Sequence, residues 1–146
     1  IKDLVIIDGT NHYPQDIEDT AQSCDPALRR NGGAAFTVAE GDDPEKLIVV
    51  QEVERTERHR IATDEIIGRI REAIVREHEI VPHQIALLRP GALPKTTSGK
   101  IQRTLMRRLF LHGQLSPLYE VLDPAVRALV QPATTPSGDP ARSTSW

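Results

Sequence analysis

The chain has 146 residues, of which 38% are hydrophobic and 27% charged, and this fits one compact domain with a modest core. Aromatic residues make up only 3% and the net charge is -3, which disfavours both a base-stacking surface for single-stranded nucleic acid and a general polyanion-binding surface. The only cysteine, Cys24, excludes an intrachain disulfide and a thiolate metal cluster, and it favours a reducing, cytoplasmic compartment.

Neither a membrane span nor a signal peptide is predicted. No run approaches the roughly 18 apolar residues that would cross a bilayer, and the first residues lack the pattern of a secretory signal. Because the chain begins with Ile1 rather than Met, we expect it to be a piece of a longer protein, with a processed whole protein as the alternative.

The first elements in chain order are a strand, a turn and a helix. Residues 4–7 are an apolar, mostly β-branched run and predict a short buried strand, which Asp8 and Gly9 close as a turn. Pro14 is suited to the first position of a helix, which continues with apolar residues at helical spacing, namely Ile17, Ala21 and Cys24.

Two strands and a long helix follow. Residues 31–33, Asn-Gly-Gly, interrupt the pattern, after which residues 34–39 and Lys46–Val53 predict an antiparallel pair joined by a polar loop. A helix opens at Thr63. Its apolar stripe (Ile67, Ile70, Ile74) should pack on the strands while its charged side chains (Arg69, Arg71, Glu72, Arg76) face water.

The last elements complete an α+β fold class, a small sheet of about three strands flanked by helices plus an N-terminal strand-turn or hairpin element. Gln84–Leu88 predicts the third strand, and after a polar loop the spacing of five apolar residues predicts another amphipathic helix: Ile101, Leu105, Met106, Leu109 and Phe110. Residues 1–123 form the expected domain. Residues 124–146 form an extension that should be largely disordered from about residue 131, where Pro, Thr, Ser and Gly dominate.

Residues 93–103 are the strongest candidate for chemistry, because a polar loop containing Gly99 ends in Lys100 just as a helix begins. The spacing excludes a phosphate-binding P-loop, since Gly91 is too far from Gly99 and Ile101 replaces the hydroxyl residue that binds the metal. A lysine at a loop tip can reach into a neighbouring cleft and stabilise an anion. Composition alone favours solvated loop lysines at positions 95 and 100.

The loop nevertheless closely resembles the C-terminal signature of the adenylate-forming superfamily, which includes acyl-CoA synthetases and fatty acyl-AMP ligases. The resemblance is carried by residues 94–96 (Pro-Lys-Thr), residues 98–100 (Ser-Gly-Lys) and the trailing Arg103. Residues 2–9, continuing to residues 16–18, are similar to the hinge of that family and the strand-turn-helix that follows it. Two motifs in the expected order are more specific than either one alone.

The turn narrows the resemblance to fatty acyl-AMP ligases, because Asn-His-Tyr-Pro at residues 11–14 is similar to their version. Thr10 departs from the Arg expected after Gly9, so an anion contact at that position in relatives does not carry over to this chain. The resemblance covers residues 1–123.

The resemblance implies that the chain is the mobile C-terminal domain beside a large N-terminal domain that binds ATP, Mg²⁺ and a fatty acid. Lys2 would lie at the hinge, and Lys100 would enter the cleft of the large domain to bridge the fatty carboxylate and the ATP α-phosphate. Gly9, Asn11 and His12 would belong to the face presented to the acceptor tunnel after rotation. On this interpretation the isolated chain is inactive and carries no cofactor itself.

The expected partners are the large N-terminal domain and an acyl carrier protein of a polyketide or peptide synthase. Arg103, Arg107 and Arg108 on the last helix could contact an acidic carrier protein or simply form a solvated face. The five histidines show no metal-ligand spacing, so no metal site is predicted. Two alternatives stay open, a C-terminal domain of a fatty acyl-CoA synthetase and a non-catalytic carrier-protein interaction module.

Overall fold

The computed structural model describes residues 4–39, 41–55, 62–115, 117–119, 126 and 128–130. The expected hinge at Lys2 and the expected disorder from residue 131 lie outside these ranges. The elements in chain order are β1 (Val5–Ile7), β2 (Thr10–His12), α1 (Pro14–Gln22), β3 (Leu28–Val38), β4 (Lys46–Val53), α2 (Thr63–His78), β5 (Gln84–Leu88), α3 (Arg103–Leu111) and β6 (Pro117–Tyr119).

The strands form a two-stranded hairpin and a separate mixed sheet. β1 and β2 pair antiparallel, and the larger sheet has the order β3-β4-β5-β6. β3 and β4 are antiparallel, as predicted, while β4 and β5 are parallel. A parallel pair needs a crossover connection, and α2 supplies it. The α+β fold class is confirmed, and the short strand β6 adds a fourth strand to the three that were predicted.

The sheet buries one core on each face. Period-2 alternation along β4 places Leu47, Val49 and Val53 in the cluster under α1 and α2, whereas Ile48 and Val50 belong to the cluster under α3. The predicted stripe of α2 packs on the sheet, with Ile70 and Ile74 fully buried and Ile67 partly buried. Arg71, predicted to face water, is partly buried because it donates to the Pro82 carbonyl. Val126, within the expected extension, is also fully buried in the cluster under α3, so the packed core continues past residue 123.

The predicted start of β3 was wrong, because the strand begins at Leu28 and runs through the Asn-Gly-Gly sequence. Leu28 pairs with Val53 and Gly33 pairs with Gln51, so residues 29–32 oppose a single residue of β4. The extra residues form a bulge, with Asn31 at a φ of 56°. Glycines that normally signal a break between elements here allow close packing within one strand.

The expectation of a buried first strand also needs correction. Val5 is 3% exposed, but Ile6 is 53% exposed, because β1 belongs to a two-stranded hairpin that has only one covered face. Asp8 and Gly9 form the two-residue turn of this hairpin, with φ values of 51° and 78°. Positive φ at both turn positions is the geometry that matches the twist of the flanking strands, and it explains the Asp-Gly sequence.

Gly33 should tolerate no side chain. A Cβ at this position would lie 2.5 Å from the Gln51 Oε1 atom. That amide cannot simply turn away, because its Nε2 atom donates to the Arg29 and Glu52 carbonyl oxygens. We expect Gly33→Ala to lower the free energy of unfolding by about 1–3 kcal/mol in urea denaturation.

Gly68→Ala is the matched control for this prediction. Gly68 is exposed in the interior of α2, and a Cβ there would meet nothing within 4 Å. Alanine should therefore raise the free energy of unfolding by about 0.5–1 kcal/mol. Equal effects at the two positions would contradict the close approach of β3 to Gln51.

Candidate functional site

The candidate site is the segment that we call the lysine loop, residues 95–101, which folds back on itself before α3. Lys95 and Ile101 form an antiparallel bridge at its base. Inside the loop, the Thr96 amide donates to the Lys100 carbonyl at 2.8 Å and the Gly99 amide donates to the Thr96 carbonyl at 2.9 Å. Gly99 has a φ of 86°, which explains the glycine before the lysine.

The Lys100 side chain is exposed at the end of this loop. Its backbone amide is fixed by a 3.0 Å hydrogen bond to Thr96 Oγ1. In the described part of the chain, no carboxylate forms an ion pair with its ammonium group. The loop thus combines a well-defined backbone with a cation that can project toward another molecule or domain.

Arg103, at the start of α3, contacts the body of the domain. Its Nε and Nη2 atoms donate to the two carboxylate oxygens of Glu18 at 2.6 and 2.7 Å. Such a bidentate pair fixes both the position and the plane of the guanidinium. Because the Arg103 side chain is only 22% exposed, the geometry favours an internal role for it over the expected contact with a carrier protein.

Arg107 and Arg108 remain candidates for that contact. Both side chains are exposed on α3. Arg107 donates from Nε to the Thr37 carbonyl at 2.8 Å, which leaves part of its guanidinium facing solvent. The two side chains therefore present positive charge outward, although they lie beyond the loop rather than in it.

Burial raises the pKa of the Glu18 carboxyl above its ordinary value, although the hydrogen bonds from Arg103 and from the Ala35 amide offset part of this effect. The folded state therefore holds the Glu18 proton more tightly than the unfolded state does. Its contribution to stability is fully present below the ordinary glutamate pKa, and it is lost as the pH rises through the raised one.

Glu18→Gln should remove this pH dependence. We expect the unfolding free energy of the original chain, minus that of the variant, to fall as the pH rises from the ordinary glutamate pKa through the raised value. Urea titrations at a series of pH values give this difference directly. A difference that increases with pH would mean that the ion pair outweighs burial.

The hairpin turn brings together the other predicted site residues. Gly9 and Asn11 are exposed, and a Cβ at Gly9 would meet nothing within 4 Å. The His12 Nε2 atom is buried and has no hydrogen-bond partner among the residues described. The His12 side chain is half-buried, so it is less open to another domain than Gly9 and Asn11 are.

Metal ligands and membrane helices were searched for in the same ranges. In the described segments, no group of three or more His, Cys, Asp or Glu side chains could hold a metal ion. The helices of those segments include none that is long and apolar enough to cross a bilayer.

Sequence reasoning missed two buried carboxylates near the loop, Glu18 and Glu52. Glu18 is one of the four buried positions of α1 and is 4% exposed. The spacing that identified Ile17 and Ala21 as core positions also places residue 18 on the buried face. An acidic residue at a buried position predicts a charged or hydrogen-bonding partner, so the sequence could have indicated this carboxylate. Glu52 lies in a continuous buried run of β4 and is fully buried.

Comparison with known proteins finds relatives that are named as fatty acid ligases. The chain is 50% identical over 115 residues to the medium-chain-fatty-acid (acyl-carrier-protein) ligase JamA of Moorena producens, a match that covers 79% of this chain and 19% of that protein. It is 39% identical over 134 residues to the long-chain-fatty-acid AMP ligase FadD32 of Mycobacterium marinum, covering 79% and 21% of the two chains. The chain therefore spans about a fifth of the length of these relatives.

A solved structure shows the same fold. The crystal structure of fatty acid AMP ligase from Legionella pneumophila superimposes with a TM-score of 0.61 at 33% identity, covering 76% of this chain and 19% of that one. The fold, the lysine loop and these relatives confirm the resemblance to a C-terminal domain of the adenylate-forming fatty acyl-AMP ligases. The chain belongs to the family described as Disco-interacting protein 2-like, AMP domain, which matches residues 2–119.

Proposed function

We propose that this chain is the mobile C-terminal domain of a cytoplasmic enzyme that joins a fatty acid to AMP and then passes the acyl group to the thiol of an acyl carrier protein. The observation that carries the proposal is Lys100, an exposed cation on a tightly hydrogen-bonded loop, which forms no ion pair with any carboxylate of the described residues. The relatives named as fatty acid ligases of carrier protein and AMP support the substrate class.

The chemistry explains why such a cation is useful. A carboxylate that attacks the α-phosphate of ATP brings two anions together, and the transition state spreads negative charge over the phosphoryl oxygens. A lysine placed beforehand near these oxygens stabilises that charge more than it stabilises the separated reactants. ATP and its Mg²⁺ would be bound mainly by the large domain, with Lys100 entering from this one.

The hairpin is proposed to serve the second half-reaction. In that state the turn at Gly9, with Asn11 and His12, would face the channel of the acceptor thiol. The exposure of Gly9 and Asn11 and the open space around Gly9 support this assignment, whereas the His12 side chain is half-buried. Arg107 and Arg108 would meet the acidic carrier protein, and Lys2 would act as the hinge. The free Cys24 thiol is compatible with a reducing compartment.

The half-reactions should be measured separately in the full-length protein that carries this domain. Pyrophosphate release with a fatty acid and MgATP tests adenylation, and acyl transfer from acyl-AMP tests the second step with either a carrier protein or CoA as acceptor. We expect the carrier protein to be preferred. Preference for CoA would identify a fatty acyl-CoA synthetase, and carrier binding without pyrophosphate release would identify an interaction module.

A further inference from the structure

Two buried carboxylates hold the two ends of the segment that contains the lysine loop. Before the loop, Glu52 on β4 accepts a hydrogen bond at Oε2 from the Leu93 amide at 2.7 Å. After the loop, Glu18 on α1 accepts the two hydrogen bonds from Arg103. Glu52 is fully buried and Glu18 is 4% exposed, so neither carboxylate is a solvent-exposed surface group.

Each carboxylate is itself fixed from behind by β3. Arg29 Nη1 donates to Glu52 Oε1 at 2.7 Å, and the Ala35 amide donates to Glu18 Oε2 at 2.9 Å. Asn31, on the bulge of the same strand, adds a 3.3 Å hydrogen bond from Nδ2 to the Gly99 carbonyl. The loop therefore takes its position from one strand of the sheet through three separate connections.

Stability alone does not explain this arrangement. Removing charges from water is costly, and well-packed apolar residues usually stabilise a domain as well as a buried ion pair does. What hydrogen-bonded charges add is a defined geometry, since each donor fits only one position and orientation. A catalytic group needs such support, because a misplacement of about 1 Å can slow a reaction by about 10²-fold.

We propose that Glu18 and Glu52 are positioning residues, which clamp the lysine loop from both ends so that Lys100 meets the reacting phosphate at a fixed place. This inference depends on the proposed function. Because no described side chain forms a hydrogen bond or ion pair with the Lys100 ammonium, the backbone of the loop decides where that ammonium can reach. The two carboxylates thereby act on adenylation through Lys100 and touch no substrate themselves.

The test uses Glu18→Gln and Glu52→Gln in the full-length protein. A glutamine keeps the shape of the side chain but replaces one accepting oxygen with an NH₂ group. In Glu18→Gln this group would face the donors of the Arg103 guanidinium. In Glu52→Gln it would face either the Leu93 amide or the Arg29 guanidinium. We expect kcat for pyrophosphate release to fall about 10- to 100-fold. The KM values for ATP and fatty acid should stay within about twofold, because both substrates would be bound mainly by the large domain. Acyl transfer from supplied acyl-AMP should keep its rate, because Lys100 would act only in adenylation.

Trypsin provides a readout that does not depend on activity. Cleavage after Lys95 or Lys100 requires the loop to open locally, so releasing either end should speed cleavage in the loop. Asp25→Asn is the control, because it neutralises a carboxylate whose side-chain partners, Arg69 and the Ala27 amide, lie outside the loop. This control should leave both the cleavage rate in the loop and the kcat for pyrophosphate release unchanged.

The outcomes separate this inference from the proposed function. If Lys100→Ala is inactive in adenylation while Glu18→Gln and Glu52→Gln release pyrophosphate at the normal rate, the positioning role of the two carboxylates is wrong and the proposed function stands. A purely structural role would slow both half-reactions equally, and that result also overturns the clamp. If Glu18→Gln fails to fold, Arg103→Lys replaces it, since it keeps a cation but only one donor group and should give an intermediate loss of kcat.

Discussion

Lys100→Ala is expected to slow pyrophosphate release by the full-length protein about 10²- to 10³-fold, equivalent to about 2.7–4 kcal/mol of transition-state stabilisation. The loop should survive the substitution, because its hydrogen bonds come from the backbone of residue 100 and from Thr96. The ammonium group has no ion-pair partner among the residues described, so its loss removes nothing from the folded domain. The change therefore isolates the charge from the structure.

Lys95→Ala is the matched control for Lys100. Lys95 stands on the opposite side of the same loop, where its backbone pairs with Ile101. A surface substitution without a specific contact changes free energies by no more than about 0.5 kcal/mol, so adenylation should stay within about twofold. Transfer of the acyl group from supplied acyl-AMP should be normal in both variants. Near-normal pyrophosphate release by Lys100→Ala would refute the proposed role of the lysine.

Most regular elements were readable from the sequence because their apolar spacing is strong. Two helix ends were wrong, since α1 ends at Gln22 before Cys24 and α3 begins at Arg103 after Ile101, which forms a bridge with Lys95. The spacing of Ile70 and Ile74 located α2, and the run Gln84–Leu88 located β5 with its observed bounds. Local turn chemistry likewise identified the Asp-Gly turn. The error at β3 came from treating two glycines as a break, whereas tertiary packing against Gln51 and Glu52 makes them part of a bulged strand.

For a different reason, the sequence predicted the lysine of the candidate site but not the residues that support its loop. A motif of consecutive residues pointed to Lys100, because the loop that presents it is local in sequence. The support of the loop is not local, since Glu18 and Glu52 lie far from it along the chain and approach it only through the fold. Arg103 illustrates the limit, since its charge suggested a docking surface whereas the structure pairs it with a buried glutamate.

Phe110→Ala is expected to lower the free energy of unfolding by about 3–5 kcal/mol, a large share of the stability of an ordinary domain. Phe110 is 4% exposed on α3, and its ring meets the Phe36 ring edge-on with the centroids 5.7 Å apart. Truncation removes this contact and opens a cavity between α3 and β3. Urea denaturation of the chain measures the change.

Phe110→Leu separates the cavity from the aromatic contact. Leucine fills most of the volume and loses chiefly the edge-to-face interaction, which contributes about 0.5–1.5 kcal/mol. Its cost should therefore be well below that of alanine, and the exposed Arg108→Ala should cost no more than about 0.5 kcal/mol. A loss below about 1 kcal/mol in Phe110→Ala would contradict the packing of α3 on the sheet. This packing also anchors the lysine loop, because α3 begins two residues after the loop ends.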